Sequence, residues 1–133
     1  MKNVKYLTIE DVLLLHSMVI DASGGSHGLR DFGLLESAVL RPQATFGGED
    51  LYPDVLIKTS ALLHSLLRDH AFVDGNKRTS MYSAMTFLTL NGYTFTASQK
   101  EVVSFALKIE NDRLSIEEIA TWLEEHTEKI KKE

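Results

Sequence analysis

Apolar residues recur at helical spacing in six stretches of the chain, separated by segments rich in glycine and short polar residues. Thr8-Ile9-Glu10-Asp11 has the form of a capping box, and Val12, Leu13, Leu15, His16 and Val19 follow it, predicting a helix from about Ile9 to Ile20. Three glycines between Asp21 and Gly28 cannot propagate that helix and predict a mobile surface loop. Leu34, Leu35, Ala38 and Val39 form a short stripe that Pro42 ends. A loop carrying Gly47-Gly48 comes next, and Pro53 then stands where a first-turn proline is tolerated. Val55, Leu56, Thr59, Leu62, Leu63, Leu66 and Leu67 make the following helix the most apolar, which places it in the core. The pattern breaks from Asp69 to Gly75, resumes near Asn76 through Met81, Ala84, Met85 and Leu88, and stops at Asn91-Gly92. Ser98-Gln99-Lys100-Glu101 and Ser115-Ile116-Glu117-Glu118 are two more capping boxes, each ahead of an apolar stripe. Only Tyr93 to Thr96 reads as extended, and four residues cannot build a sheet, so the expected class is all-α, a compact bundle of about six helices. The charged tail from Lys129 to Glu133 is expected to fray.

Composition narrows the function. A chain of 133 residues, 44% hydrophobic and 25% charged, suffices for a single domain over residues 1–133 with a real core. Fourteen Lys and Arg against nineteen Asp and Glu give a net charge of −5, which disfavours direct nucleic-acid binding. The absence of cysteine removes disulfides, thiolate nucleophiles and cysteine-ligated zinc, and fits a reducing compartment. No apolar run approaches the roughly 18 residues of a membrane span, and no signal-peptide core follows Met1, so no membrane association and a cytoplasmic location are expected.

The chemistry concentrates in His70-Ala71-Phe72-Val73-Asp74-Gly75-Asn76-Lys77-Arg78. At a loop-to-helix junction, backbone N–H groups without intrahelical partners and the positive end of the helix dipole make Gly75 to Lys77 a cradle for phosphate. Lys77 and Arg78 oppose the usual acidic preference of a first helical turn, a violation an anionic ligand would offset. Asp74 suits one ligand position of a magnesium ion completed by phosphate oxygens and water, or else caps the helix. His70 is placed to remove a proton from a hydroxyl. Phe72 reads as the apolar anchor of the loop. His16, His27, His64 and His126 show no partner in the sequence and read as structural, and His64, His70 and Asp74 match no zinc-binding spacing.

These nine residues resemble the Fic signature: His, any, Phe, any, Asp or Glu, Gly, Asn, Gly or Lys, Arg. With Asn76-Lys77-Arg78, Gly28-Leu29-Arg30-Asp31 and Arg41-Pro42-Gln43-Ala44-Thr45-Phe46-Gly47-Gly48, most of the chain is similar to the Doc, or death-on-curing, branch, the toxins of toxin–antitoxin pairs. The resemblance implies an all-α fold whose signature loop binds ATP and Mg2+. It implies His70 as general base, Asp74 as metal ligand, and Gly75, Asn76, Lys77 and Arg78 as phosphate-binding residues. Fic adenylyltransferases have glycine at Lys77 and a second arginine at Met81; Doc proteins lack both, and the branch implies transfer of the γ-phosphoryl group to a threonine of elongation factor Tu, which stops translation. Two alternatives remain: transfer of AMP, or a non-catalytic adaptor that binds its antitoxin through the same pocket. The inhibitory motif carried by many Fic proteins is absent, since Thr45 to Glu49 is followed by Asp50 and Thr121 to Glu125 by His126. Inhibition by a separate Phd-like antitoxin is therefore expected, its helix docking near the site. The loop from Gly24 to Gly33 is assigned as a flap for the target segment.

Overall fold

A computed structural model describes residues 3–131. Six α-helices run through them: α1 (Ile9–Ser23), α2 (Phe32–Leu40), α3 (Val55–Asp69), α4 (Asn76–Leu90), α5 (Gln99–Asn111) and α6 (Ile116–Glu125). All three predicted capping boxes form. Thr8, Ser98 and Ser115 each accept the N–H of the third helical residue, whose carboxylate accepts the cap residue's N–H in return. Asp31 and Asp54 cap α2 and α3 through their side chains.

The central element is α3, which packs against α2, α4, α5 and α6. Its residues divide by the i, i+4 periodicity of a helix. Leu62 and Leu66 join Val12, Leu35, Val39, Phe72 and Phe87 in one apolar cluster. Leu63 and Leu67 join Met81, Leu88, Phe105, Ile119 and Leu123 in the other. The connection from α3 to α4 therefore leaves the middle of the bundle, with packed helices behind it. One charge lies among these apolar residues: Lys58 on α3 is fully buried, and its ammonium donates to Asp50 Oδ2 at 3.0 Å and to the Pro42 carbonyl at 3.2 Å. A buried ammonium requires such partners.

Several boundaries differ from expectation. Helix α1 continues to Ser23, because Asp21 to Ser23 contain no breaker; Gly24, in the left-handed region at φ 80°, ends it. Pro53 precedes the cap residue Asp54 instead of lying in the first turn of α3. A 3-10 turn, Arg41–Gln43, holds Pro42 after α2. Extended structure is not confined to Tyr93–Thr96. Thr45–Phe46 (β1) pairs antiparallel with Glu49–Asp50 (β2) around Gly47-Gly48, and Tyr93–Phe95 (β3) pairs antiparallel with Thr127–Lys129 (β4). Lys129, expected to fray, thus pairs with Tyr93, and the Ile130 N–H donates to the Gly92 carbonyl at 2.7 Å. The rest of that tail, Lys132 and Glu133, lies outside the described residues.

Candidate active site

The α3–α4 connection begins with an unusual backbone. His70 caps the C-terminus of α3 in the left-handed region, at φ 47° and ψ 56°, a conformation uncommon for a residue with a Cβ. The Arg30 guanidinium secures it, donating from Nε to the His70 carbonyl at 2.7 Å and from a terminal nitrogen to the Asp69 carbonyl at 2.8 Å. Those contacts satisfy carbonyls that the end of α3 leaves without intrahelical partners.

The next residues are fastened on both sides. Phe72 is buried and stacks on His16, ring centroids 3.8 Å apart and planes 8° apart. The Asn76 side chain closes the loop, accepting the Phe72 N–H at 3.0 Å and donating to the Phe72 carbonyl at 2.8 Å. Both ends of its amide are thus engaged with the Phe72 backbone. His16 donates from Nε2 to the Asp74 carbonyl at 2.8 Å. The segment expected to be a free loop is tied here too. Val73 donates to the Gly28 carbonyl at 3.0 Å, Arg30 and Asp31 donate to the Ala71 carbonyl at 2.7 and 3.0 Å, and Ser26 donates to Asp74 Oδ2 at 3.1 Å. Phe32 and Gly33, at the end of the segment assigned as a flap, lie within α2.

Gly75 has φ 76°, and a Cβ there would lie 2.9 Å from Ile20 Cδ1. The left-handed backbone conformation is what favours glycine here, the Ile20 methyl being the end of a side chain that can shift. The Gly75 N–H donates to Asp74 Oδ1 at 2.9 Å, so that donor is shared with the aspartate. Helix α4 has no side-chain cap, and its first intrahelical bond runs from Thr79 N–H to the Gly75 carbonyl. The N–H groups of Asn76, Lys77 and Arg78 consequently have no partner within the helix. The Arg78 side chain is exposed and makes no ion pair among the described residues. Met81, where the adenylyltransferase signature has a second arginine, is buried in the apolar cluster beneath.

His70 and Lys77 meet at a residue the sequence reading did not single out. Glu110, near the end of α5, accepts from His70 Nε2 at Oε2, 3.1 Å away, while its Oε1 lies 3.3 Å from Lys77 Nζ. The glutamate side chain is 21% exposed, against 53% for His70 and 51% for Lys77. It forms part of the floor of a cleft of about 270 Å³ whose lining includes His64, Arg68, His70 and Arg113. His64 accepts from an Arg41 nitrogen at 3.1 Å. Burial first, then the Arg41 and Arg68 charges, lowers its pKa below the ordinary 6.5. Nothing local marks Glu110; the signal is its position 40 residues from His70 on a packed face of a different helix.

The other histidines have structural partners. His16 supports Phe72 and Asp74, His27 donates to Asp21 at 2.8 Å, and His126 stacks on Trp122 and donates to its carbonyl at 2.8 Å. Asp74 is an exposed carboxylate whose oxygens each accept one backbone N–H, leaving further lone pairs. Among the described residues no group of three His, Asp or Glu side chains assembles to hold a metal. Asp74 fits the pattern in which magnesium takes one carboxylate and completes its shell with phosphate and water.

The structure thus presents an α-helical bundle in which one loop carries an exposed imidazole and leads into an uncapped, basic helix N-terminus. The chain matches the Fic/DOC family over residues 6–88, and it belongs to that family. It is 53% identical over 93 residues to Toxin Doc of Mycolicibacterium smegmatis, covering 70% of this chain and 69% of that protein. It is 34% identical over 89 residues to Protein kinase doc of Escherichia phage P1, covering 67% and 70% respectively. Among the described residues no helix is long and apolar enough to cross a membrane.

Proposed function

We propose that the protein is the toxin of a toxin–antitoxin pair and acts as an ATP-dependent protein kinase. The observation that carries the reading is the open N-terminus of α4, with Lys77 and Arg78 in its first turn and His70 linked to Lys77 through Glu110. The names of the two relatives, a toxin and a protein kinase, agree with it. The free N–H groups of Asn76 to Arg78, with the two cations, hold the phosphates of ATP. Arg30 and the Asn76–Phe72 lock fix the loop on which the base stands. His70 takes the proton of a serine or threonine hydroxyl, the hydroxyl oxygen bonds to the γ-phosphorus, and the bond to the β–γ bridging oxygen breaks to release ADP. Mg2+, held by Asp74, supplies charge neutralisation on the phosphates when bound. Lys77 in place of glycine and the buried Met81 in place of an arginine favour this reaction over transfer of AMP. The target we propose is a threonine of elongation factor Tu, so that translation stops, with neutralisation by a Phd-like antitoxin in the cytoplasm.

Incubation with Mg2+, bacterial lysate and ATP labelled at either the γ- or the α-phosphate tests the reading, with His70→Ala as control. We expect γ-label on one protein band, a rate lowered about 10²- to 10⁴-fold in His70→Ala, and an unchanged circular-dichroism melt. Transfer of α-label would establish AMP transfer instead, and no label from either would leave an antitoxin-binding adaptor.

A further inference from the structure

We infer that Glu110 is the positioning residue of His70: it holds the imidazole as the Nε2–H tautomer and leaves the Nδ1 lone pair to receive the hydroxyl proton. The inference deepens the proposed function and rests on His70 being its base. Glu110 lies on α5, beyond the residues 6–88 that match the family, so it belongs to the part of the chain the family signature does not describe.

The geometry leads there in steps. An ionised carboxylate only accepts hydrogen bonds, so the 3.1 Å contact between Oε2 and Nε2 requires the proton on Nε2. A neutral imidazole with Nε2–H has its one ring lone pair on Nδ1, and Nδ1 has no hydrogen-bond partner among the described residues. The carboxylate is a firm reference for the ring because it is more buried than the histidine, is hydrogen-bonded to it at Oε2, and is paired by charge with Lys77 at Oε1, 3.3 Å away, an oxygen that makes no hydrogen bond among the described residues. Every other charged or titratable side chain lining the cleft is basic: His64 and Arg68 from α3, and Arg113 after α5. Lys77 from α4 adds a fourth basic side chain facing the carboxylate. A base whose tautomer is fixed by a third group is a recurrent device of proton transfer.

Substitution separates orientation from mere packing. In Glu110→Gln the amide oxygen turns toward the Lys77 ammonium, which only donates, and the NH2 group faces Nε2. His70 must then accept at Nε2 and carry its proton on Nδ1. Glu110→Ala leaves the ring to solvent without imposing the wrong tautomer. A tautomer role therefore makes the isosteric glutamine the worse variant, whereas a packing role makes alanine the worse one.

Two measurements on the full chain decide it. ¹⁵N NMR of the imidazole should report Nε2–H in the native protein and Nδ1–H in Glu110→Gln. With γ-labelled ATP and lysate, the rate at saturating ATP should fall about 10²-fold or more in Glu110→Gln and by less in Glu110→Ala, with half-saturating ATP little changed. An unchanged tautomer in Glu110→Gln, or alanine slower than glutamine, overturns the inference. A faster rate in either variant also overturns it, because the carboxylate would then obstruct the base. If the native protein transfers no label, the proposed kinase fails, while the imidazole spectra still decide what Glu110 does to the ring.

Discussion

At the start of α6, Ser115 accepts the Glu118 N–H at 3.1 Å and the Glu118 carboxylate accepts the Ser115 N–H at 2.9 Å. At the start of α5, Ser98 and Glu101 do the same at 3.2 and 2.9 Å, and the Ser98 N–H and hydroxyl hold the Glu101 carboxyl below the usual carboxylate range. At the start of α4, Gly75 supplies no side chain, and the first turn carries Lys77 and Arg78 where an acidic residue would suit the dipole. The first two ends are complete in themselves. The third is left incomplete among residues that are otherwise firmly held, with Phe72 buried and Asn76 bound twice to its backbone. Unpartnered N–H groups held in a rigid setting suit an anion better than those of a slack loop, which is the contrast the proposed function rests on.

The comparison can be broken at its functional end. Lys77→Ala and Arg78→Ala should each raise the ATP concentration for half-maximal labelling by about tenfold or more, as expected for losing a charge-assisted contact of about 1.5–3 kcal/mol, with unchanged melting curves. Unaltered ATP dependence in both would show that the phosphates bind elsewhere. Asn76→Ala removes both contacts to Phe72 and should cost about 1–3 kcal/mol of stability, because the Phe72 backbone loses its partners; denaturant unfolding gives the value.

At the capped ends the expected effects are smaller and of a different kind. Ser115→Ala should cost about 1 kcal/mol in the same unfolding measurement while label transfer stays at the native rate. The smallest effect concerns pH. His64 has a folded pKa below its unfolded value near 6.5, so below that pH the unfolded chain binds a proton the folded chain resists. Stability should fall as pH drops below about 6.5, and His64→Gln should flatten that part of the curve relative to native protein in parallel melts from pH 7.5 to 5.5.

What the sequence made legible follows the same division. The capping boxes at Thr8, Ser98 and Ser115 were readable because a cap and its partner are three residues apart, and the His70–Arg78 loop because its residues are contiguous. The residues that hold the loop were not, because Arg30, His16 and Glu110 reach it across 40, 58 and 40 residues through tertiary packing. His16 stood on the apolar stripe of α1, yet its stacking on Phe72 depends on how α1 meets the loop. The β3–β4 pair was hidden for the same reason: strands of three residues carry little pattern, and their partners lie over thirty positions apart. Gly47-Gly48 between β1 and β2 is a recognisable two-residue hairpin turn, and there the signal was present.

The central claim is that the N-terminus of α4 is the phosphate-binding half of a group-transfer site. The most direct measurement is an amide NMR titration of the full chain with ATP and Mg2+. The account predicts saturable shifts of the Asn76, Lys77 and Arg78 amides, weakened in Lys77→Ala and retained in His70→Ala, with the amides of Gln99 to Glu101 and Ile116 to Glu118 unmoved. Shifts at the capped ends with none at α4, or binding indifferent to Lys77, would contradict it.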